Sequence, residues 1–246
     1  GPSQGGADQG PERAKPANRV HPLPAGGGRG EGPPASLAAA LDSGLADLGL
    51  ALAAEQRQAL LDYLALLHKW NRVYNLTAVR EPERMLTLHL LDSLAVLPAL
   101  GDLPDAAQVL DIGSGGGLPG IPLAIARPTW RVTLLDASQK KASFLRQVSA
   151  ELKLQTEVLA ERAESVAHQA RFDLVISRAF ADLNDFLPLA WPLLRPGGWA
   201  AAMKGVHPDE EIARLAPEIS RRMNIRALRV PGLEAQRHLL LFTTSP

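Results

Sequence analysis

Residues 109–120 read VLDIGSGGGLPG, and this stretch decides the fold. Its first four residues, Val109–Ile112, are mostly branched and apolar, as is typical of a buried strand. The next eight residues contain five glycines, and a helical pattern begins near Pro119. Glycines let the backbone turn sharply and let a ligand approach closely, so a strand, a glycine loop and a helix start predict a nucleotide-binding corner. The alternative is a tight strand–helix turn, which would need the five glycines by chance.

Short apolar runs and helical patterns alternate from residue 107 onward. The predicted strands are Val109–Ile112, Arg131–Leu135, Thr156–Leu159, Asp173–Ser177, Trp199–Met203, Ile225–Val230 and Leu239–Thr243. The predicted helices fill 119–127, 139–152, 162–168, 184–194 and 208–222. Only Pro231–His238 separates the last two strands, which is too short for a helical crossover. We therefore predict an α/β, Rossmann-like fold with a seven-stranded, mostly parallel sheet and an antiparallel C-terminal hairpin.

Three parts follow one another along the chain. Residues 1–35 are dominated by Gly, Pro, Ala and charged residues and are expected to be disordered. Residues 36–106 show leucines at helical spacing from Leu37 and a helix start at Pro82, which predicts a helical cap. Residues 107–246 form the predicted ligand-binding domain.

Composition limits the possible functions of the chain. Its 246 residues contain no cysteine, which excludes disulfides, cysteine-zinc sites and thiol nucleophiles and fits a reducing cytoplasm. The 26 basic and 26 acidic residues cancel, which argues against a strong general attraction to nucleic acid. Neither a membrane-spanning apolar run nor a signal pattern occurs, so a cytoplasmic protein without membrane association is expected.

The position of Asp111 indicates which ligand the glycine loop binds. Dinucleotide sites carry G-x-G-x-x-G at the strand end, but counted from Gly113 the third glycine position holds Leu118. Counted from Gly115 the pattern fits, yet it starts two residues late. S-adenosylmethionine carries a cationic amino group and a sulfonium, so a carboxylate at Asp111 suits it better than it suits a pyrophosphate. The loop therefore favours S-adenosylmethionine, with a nicotinamide cofactor as the alternative.

Two further strand ends offer donor contacts. Asp136 ends the second strand, where a carboxylate can accept both ribose hydroxyls. Its alternative role is a helix N-cap, which Ser138 could fill instead. After the third strand, Ala163 and Glu164 could read the adenine edge, the alternative being a solvated helix start.

Cationic side chains follow the next two strands. Arg178 comes directly after the fourth strand and Lys204 ends the fifth, at the edge where open α/β sheets bind ligands. A cation there could hold a phosphate or a nucleobase oxygen, although Lys204 could also serve only solubility. In the helical region, His89 and Asp92 are three residues apart and share a helix face. We interpret them as a hydrogen-bonded pair that pins the cap against the glycine loop.

Further motifs occur in a fixed order along the chain. They are LHKWN at 67–71, YNLT at 74–77, HLLDS at 89–93, FLR at 144–146, SRAF at 177–180 and KG at 204–205. With the glycine loop, they resemble the bacterial small-subunit ribosomal RNA guanine-N7 methyltransferases, also called glucose-inhibited division protein B, over residues 36–243. The NLT, HxxDS and SRA elements carry more of this resemblance than the glycines do.

The resemblance implies a class I methyltransferase that uses S-adenosylmethionine. Its expected acceptor is a guanine in the 530 loop of 16S ribosomal RNA, within the small subunit or its precursor, and we expect a monomer. The implied donor contacts are Gly113, Leu118, Ala163, Glu164 and Arg178, to which the reasoning above adds Asp111, Gly115 and Asp136. The residues predicted to act in catalysis are Arg178 and Lys204. The residues predicted to contact RNA are Asn75, Arg146, Lys204 and Arg237.

Two departures from the family pattern affect the expected RNA contacts. Leu88 stands where the family often has a basic residue before the histidine, and the last strand is followed by Thr243–Pro246 without the usual basic residue. One or two phosphate contacts are therefore expected to be missing or relocated. The candidate replacements are Arg221, Arg222, Arg226, Arg229 and Arg237.

The chemistry of guanine N7 agrees with the absence of a Ser-His-Asp or Cys-His unit in the sequence. N7 presents an in-plane lone pair and carries no proton, so its methylation needs no general base. Three other functions stay open at this point. They are a small-molecule or other-RNA methyltransferase on the same fold, a nicotinamide-dependent oxidoreductase, and a non-catalytic RNA-binding module.

Overall fold

A seven-stranded sheet organises the part of the chain that the computed structural model describes, residues 35–166, 169–178, 180 and 182–244. The strands are β1 (Gln108–Ile112), β2 (Arg131–Leu135), β3 (Thr156–Leu159), β4 (Phe172–Ser177), β5 (Leu194–Lys204), β6 (Met223–Leu228) and β7 (Arg237–Thr243). Their order in the sheet is β3-β2-β1-β4-β5-β7-β6. The first five strands pair in parallel, and β7 lies antiparallel between β5 and β6. The predicted α/β fold with a C-terminal antiparallel hairpin is confirmed.

The order in which strands are added to the sheet reverses at β1, because β2 and β3 lie on one side of it and β4 and β5 lie on the other. Such a switch point opens a crevice at the carboxyl ends of the strands, where ligands bind in open α/β sheets. The glycine loop follows β1 at this edge, and Arg178 follows β4. The topology therefore brings the predicted donor loop and the predicted catalytic arginine to one crevice.

The helices agree with the sequence patterns in most places. They are α1 (Ala35–Asp47), α2 (Ala54–Tyr74), α3 (Pro82–Met85), α4 (Asp92–Leu94), α5 (Gly120–Ala126), α6 (Gln139–Glu151), α7 (Leu183–Ala190), α8 (Asp209–Ala213) and α9 (Pro217–Ser220). A π-helix, Leu86–Leu91, joins α3 to α4, and a 3₁₀ turn, Leu97–Leu100, follows α4. Within the described ranges, no helix is both long and apolar enough to cross a membrane.

Several sequence-based elements were wrong in extent. The predicted strand Ile225–Val230 is β6, Met223–Leu228, and the predicted helix 184–194 ends at Ala190. The described part of the predicted helix 162–168 holds only a 3₁₀ turn, Ala163–Ser165. The predicted helix 208–222 is two short helices, because Pro217 holds the preceding Ala216 in an extended conformation with ψ of 142°. The predicted strand Trp199–Met203 is part of a longer strand, β5, which begins at Leu194 and whose pairing with β4 shifts register as a β-bulge.

The helical region before β1 shares its apolar core with the sheet. One continuous cluster of buried side chains runs from Leu37 in α1 to Leu241 in β7. The side chain of Gln56 in α2 also donates to the carbonyls of Ile125 and Ala126 at 3.1 and 3.2 Å. The division into a cap and a ligand-binding domain at residue 106 stays a prediction. Of the extension predicted to be disordered, residues 1–34 lie outside the part of the chain that the structure describes.

Candidate active site

Asp111 is the last polar residue of β1 and lies beneath the glycine loop, residues 113–120. Its side chain is fully buried, and its Oδ2 accepts a hydrogen bond of 2.9 Å from the amide of Gly120. Its Oδ1 has no hydrogen-bond partner among the described residues. Because a buried carboxylate oxygen without a partner is costly, a positive charge bound at the loop would stabilise the ionised form of Asp111 through its field.

The glycine loop is fixed to the end of β2 by two backbone amides. The amide of Gly113 donates to the carbonyl of Leu135 at 2.8 Å, and the amide of Gly115 donates to Oδ2 of Asp136 at 2.9 Å. Both glycines have positive φ angles, 73° and 58°, which L-residues with a side chain rarely adopt. The loop thus depends on glycine at these two positions and on the Asp136 carboxylate.

A pocket of about 290 Å³ lies between the glycine loop and the ends of β2 and β3, and we call it the loop cavity. The predicted donor residues that line it are Gly113, Asp136, Ala163 and Glu164. Asp136 is not the N-cap of α6, since Ser138 accepts from the amide of Lys141 at 3.3 Å. Oδ1 of Asp136 accepts instead from the amide of Ser138 at 2.9 Å, which orients the carboxylate. Phe180 adds an aromatic wall that the sequence did not assign to this site.

Burial raises the pKa of Asp111 to about 7, while the Gly120 amide and the positive charge of Arg178 act in the opposite direction. The protonated form is therefore substantially populated near neutral pH when no cation is bound. A cationic ligand stabilises the ionised form, so its binding draws the proton off Asp111. Ligand affinity at the loop is thereby coupled to pH.

The affinity for S-adenosylmethionine is accordingly expected to rise with pH through the pKa of Asp111. If only the ionised carboxylate binds the donor well, affinity at about pH 6 should be roughly tenfold below that at about pH 8. Calorimetric titration across this interval measures the effect. Asp111→Asn is the control, since it should bind weakly and lose this part of the pH dependence. If donor affinity depends on pH equally in both proteins, Asp111 takes no part in donor binding.

A second pocket, of about 410 Å³, lies between the helical region and the ends of β4, β5 and β7, and we call it the arginine cavity. Arg178, Lys204 and Arg237 all line it, so the structure brings together three of the residues predicted to act on substrate. It adjoins the glycine loop, because Ser177, next to Arg178, donates its hydroxyl hydrogen to the Ile112 carbonyl at 2.8 Å. Arg178 lies in this cavity rather than in the loop cavity, so its donor contact stays a prediction.

Asp92 holds the two arginines of the arginine cavity. Its Oδ1 accepts from Nε of Arg237 at 3.2 Å, and its Oδ2 lies 3.8 Å from Nη1 of Arg178. The predicted hydrogen bond between His89 and Asp92 is wrong. Nε2 of His89 pairs instead with the Thr77 hydroxyl at 2.7 Å, and its Nδ1 has no partner within the described chain. His89, in the π-helix, and Asp92, the first residue of α4, both line the arginine cavity, as their shared face predicted, but they have different partners.

His89 is neutral at physiological pH. Burial and the nearby charge of Arg178 lower its pKa to about 4. The Thr77 it contacts is held by Asn71, whose Oδ1 accepts from the Thr77 amide at 2.9 Å. These residues belong to the LHKWN, YNLT and HLLDS motifs, which the fold therefore joins by hydrogen bonds. Of the three residues, His89 lines the arginine cavity.

Lys204 is tied into the protein rather than exposed. Its ammonium group donates to the Phe180 carbonyl at 3.1 Å and to Oε1 of Glu211 at 2.9 Å, and its side chain is 11% exposed. These contacts exclude the solubility interpretation. They also hold the segment after β4 that carries Arg178 and Phe180.

Residues 56–240 match the model of the GidB family, described as rRNA small subunit methyltransferase G. The match begins in α2 and ends in β7, so it includes both cavities. The chain belongs to this family. The resemblance noted from the motifs is thus confirmed, and with it the assignment of the chain to a methyltransferase family.

Named relatives support the same assignment over most of the chain. The ribosomal RNA small subunit methyltransferase G of Laribacter hongkongensis is 55% identical over 201 residues, which cover 81% of this chain and 95% of the relative. That of Burkholderia thailandensis is 55% identical over 210 residues, covering 83% and 90%. Among solved structures, the tRNA (m1A58) methyltransferase TrmI from Aquifex aeolicus matches at 13% identity with a TM-score of 0.48, covering 62% of this chain and 68% of that one.

Two predicted RNA contacts, Asn75 and Arg146, line neither cavity. Asn75 is exposed and ends α2 in the left-handed conformation with φ of 49°, and its Oδ1 accepts from Arg80 at 3.3 Å. Arg146 is exposed on α6. Asn75 adjoins a group of basic side chains that the sequence prediction missed, which we call the basic surface. Its members are His68, Arg72, Arg80 and Lys140. Nδ1 of His68 lies 3.1 Å from the carbonyl oxygen of Arg80, and Nε2 of His68 lies 3.4 Å from Nη2 of Arg72. The ammonium group of Lys140 lies over the ring of Tyr74.

Tyr63 is a second residue that the sequence prediction missed. It is fully buried in α2, and its hydroxyl donates to the carbonyl of Gly116 in the glycine loop at 2.5 Å. Burial raises the pKa of Tyr63 well above its usual value, so the phenol stays protonated and remains a donor. A tyrosine in an apolar helix stripe signals such a bond, because a buried phenol needs a partner. The sequence alone does not identify that partner.

Proposed function

We propose that this chain transfers the methyl group of S-adenosylmethionine to N7 of a guanine in the 530 loop of 16S ribosomal RNA. The observation that carries the proposal is the buried Asp111, which has an oxygen without a hydrogen-bond partner among the described residues, lies beneath a glycine loop and is influenced by the positive charge of Arg178. Membership of the GidB family supports the substrate class. The placement of Arg178 beside the loop supports a reaction at the boundary between the two cavities.

The glycine loop and the loop cavity suit S-adenosylmethionine in charge and hydrogen bonding. The ionised Asp111 matches its cationic amino and sulfonium groups, and the oriented Asp136 carboxylate suits the two ribose hydroxyls. Ala163 and Glu164 lie where the adenine edge would be read. The residues that we propose as the donor site are Asp111, Gly113, Gly115, Leu118, Asp136, Ala163 and Glu164. The family resemblance also implied a donor contact for Arg178, but its place in the arginine cavity supports a role toward the acceptor.

The proposed reaction needs alignment rather than proton transfer. When bound, S-adenosylmethionine supplies an electrophilic methyl group, and guanine N7 supplies a lone pair with no proton to remove. His89 is neutral and bonded to Thr77, which agrees with a site that does not use it as a base. Holding two reactants in line contributes roughly 7–11 kcal/mol in favourable systems, enough for a large rate effect without acid–base chemistry.

Arg178 is the residue that we assign to alignment of the base. Its side chain is 30% exposed and lines the arginine cavity, and its guanidinium can donate to guanine O6 or to a phosphate. Lys204 holds the backbone of Phe180 and so acts on the same segment. The apolar walls of the cavity, Leu88, Met203 and Leu228, would exclude water from the bound base.

The basic surface is the proposed contact with the RNA backbone near the site. Arg80 lies next to Val79, which lines the arginine cavity, so this surface adjoins the cavity mouth. The chain as a whole has no net charge, which favours a folded particle over naked RNA as substrate. We therefore place the reaction on the small subunit or its precursor in the cytoplasm, carried out by a monomer.

Neutralising the basic surface is expected to weaken binding to the small subunit in a salt-dependent manner. Each lost phosphate contact should reduce the slope of log affinity against log salt by about 0.7–0.9, so Arg72→Gln with Lys140→Gln should reduce it by roughly 1.5. Filter binding at several salt concentrations measures the slope. The matched control is Arg131→Gln with Arg195→Gln, at the opposite edge of the sheet, which should leave it unchanged. Equal slopes for the two double variants would show that the RNA contact lies on another surface.

Methyl transfer to small subunits that lack the modification tests the proposed function directly. Purified protein, labelled S-adenosylmethionine and such subunits should give one labelled nucleotide, mapped to a guanine of the 530 loop as 7-methylguanine. Free 16S RNA is the comparison substrate and should be modified more slowly. Label in a different base, or saturation by a free metabolite without RNA, would overturn the proposal.

A further inference from the structure

The arginine cavity has the chemistry of a site for one flat, polar ring. Its volume of about 410 Å³ falls in the range of small-ligand sites, and Leu88, Met203 and Leu228 give it apolar walls. Three cations line it, Arg178, Lys204 and Arg237. Asp92 is the one carboxylate among the described residues in this lining. A single buried carboxylate among cations selects ligands that offer hydrogen-bond donors beside acceptors.

Asp92 keeps capacity to accept hydrogen bonds in the cavity. The residue is 6% exposed, and among the described residues its one hydrogen bond is accepted by Oδ1 from Nε of Arg237. The 3.8 Å between Oδ2 and Nη1 of Arg178 is an ion pair but is too long for a hydrogen bond. A carboxylate has about four lone-pair sites, so acceptor sites remain on both oxygens.

We propose that Asp92 determines the specificity for guanine by accepting hydrogen bonds from N1–H and the 2-amino group of the base. The inference rests on the proposed function and names the residue that reads the acceptor. Guanine presents these two donors beside its O6 acceptor, so a carboxylate next to the Arg178 guanidinium matches the edge in both signs. Adenine presents an acceptor at N1 and a donor at its 6-amino group, so both contacts would be mismatched.

This arrangement also leaves the methyl acceptor accessible. Arginine commonly binds guanine through O6 and N7 together, which would occupy the lone pair that must receive the methyl group. With Asp92 holding the Watson–Crick edge, Arg178 needs to contact O6 alone, and N7 is left without a protein donor. Burial raises the pKa of Asp92, while Arg237 and Arg178 oppose that shift and so favour the ionised acceptor.

Replacing the target guanosine by inosine tests the proposal, because inosine lacks only the 2-amino group. The substrates are small subunits reconstituted from unmodified 16S RNA with either nucleoside at the target position. The wild-type protein should lose about 30-fold in kcat/KM on inosine, the effect of one hydrogen bond to a charged group. Asp92→Asn should lose about 100-fold on guanosine and show almost equal kcat/KM for the two substrates.

Two controls separate reading of the base from support of the arginines. Calorimetric titration of Asp92→Asn with S-adenosylmethionine should give the wild-type Kd, which establishes that the variant is folded. Lys204→Gln removes a charge from the same cavity but no acceptor, so it should slow transfer and keep the guanosine preference.

Two results would overturn the proposal. One is equal use of guanosine and inosine by the wild-type protein, which needs no variant at all. The other is a folded Asp92→Asn protein that is slow but keeps the full preference, which would make Asp92 only a support for Arg178 and Arg237. Failure of the proposed function itself looks different, because the wild-type protein would then methylate neither substrate.

Discussion

Replacing Arg178 by alanine is expected to lower kcat for methyl transfer about 100-fold, the usual effect of removing one donor aimed at a reacting group. The Kd for S-adenosylmethionine should stay within roughly twofold of the wild-type value. The reason is position, since the Arg178 side chain lines the arginine cavity and pairs with Asp92 rather than lining the loop cavity. Single-turnover methyl transfer measures kcat, and calorimetric titration measures the donor Kd.

Arg195→Ala is the matched control for this prediction. Arg195 also pairs with an aspartate, Asp173, at 3.5 Å, but it lies at the opposite edge of the sheet, so both constants should stay unchanged. The assignment of Arg178 to the acceptor would be contradicted by the reverse pattern, in which Arg178→Ala loses donor affinity and keeps its turnover number. That result would move the guanidinium into the donor site.

Replacing Gly120 by alanine is expected to destabilise the protein and to abolish tight donor binding. An added Cβ would lie 2.7 Å from Oδ2 of Asp111 and would collide with the side chain of Leu134. Overpacking of this kind costs about 1–3 kcal/mol, and displacement of the Gly120 amide would leave a second buried carboxylate oxygen unpaired at a similar cost. A fall in Tm of about 10 °C and at least a tenfold loss of donor affinity should follow.

Gly101→Ala provides the control, because a Cβ at Gly101 meets no atom within 4 Å and its φ angle is negative. It should change Tm little and leave donor affinity intact. Thermal unfolding and calorimetry on both variants make the comparison. A Gly120→Ala protein with wild-type Tm and donor Kd would mean that the loop does not need the close approach between Gly120 and Asp111.

Local features of the site were predictable from the sequence. The bounds of β2 and β3 were predicted to the residue, because each is a short apolar run between turns. The glycine positions follow from backbone geometry, since Gly113 and Gly115 require positive φ. Arg178 and Lys204 could be placed because parallel strands end at one edge of a sheet. All of these inferences use neighbours in sequence or the regular geometry of a sheet.

Contacts between distant residues were not predictable in the same way. Asp92 was paired with His89 on helix spacing, but its hydrogen-bond partner Arg237 is 145 residues away. The spacing rule assumes an α-helix, whereas Leu86–Leu91 is a π-helix. The bond from Tyr63 to Gly116 spans 53 residues and depends on how α2 packs on the loop. Such partners are determined by tertiary packing, which the spacing of residues along the sequence does not specify.

The hydrogen bond between the Tyr63 hydroxyl and the Gly116 carbonyl connects α2 to the loop that we propose binds the methyl donor. A variant without the helices that precede β1 would lose this hydrogen bond to the glycine loop. The helical layer therefore cannot drift in evolution, or be exchanged by an engineer, independently of the cofactor site. Any replacement layer must supply a protonated hydroxyl at the same spot.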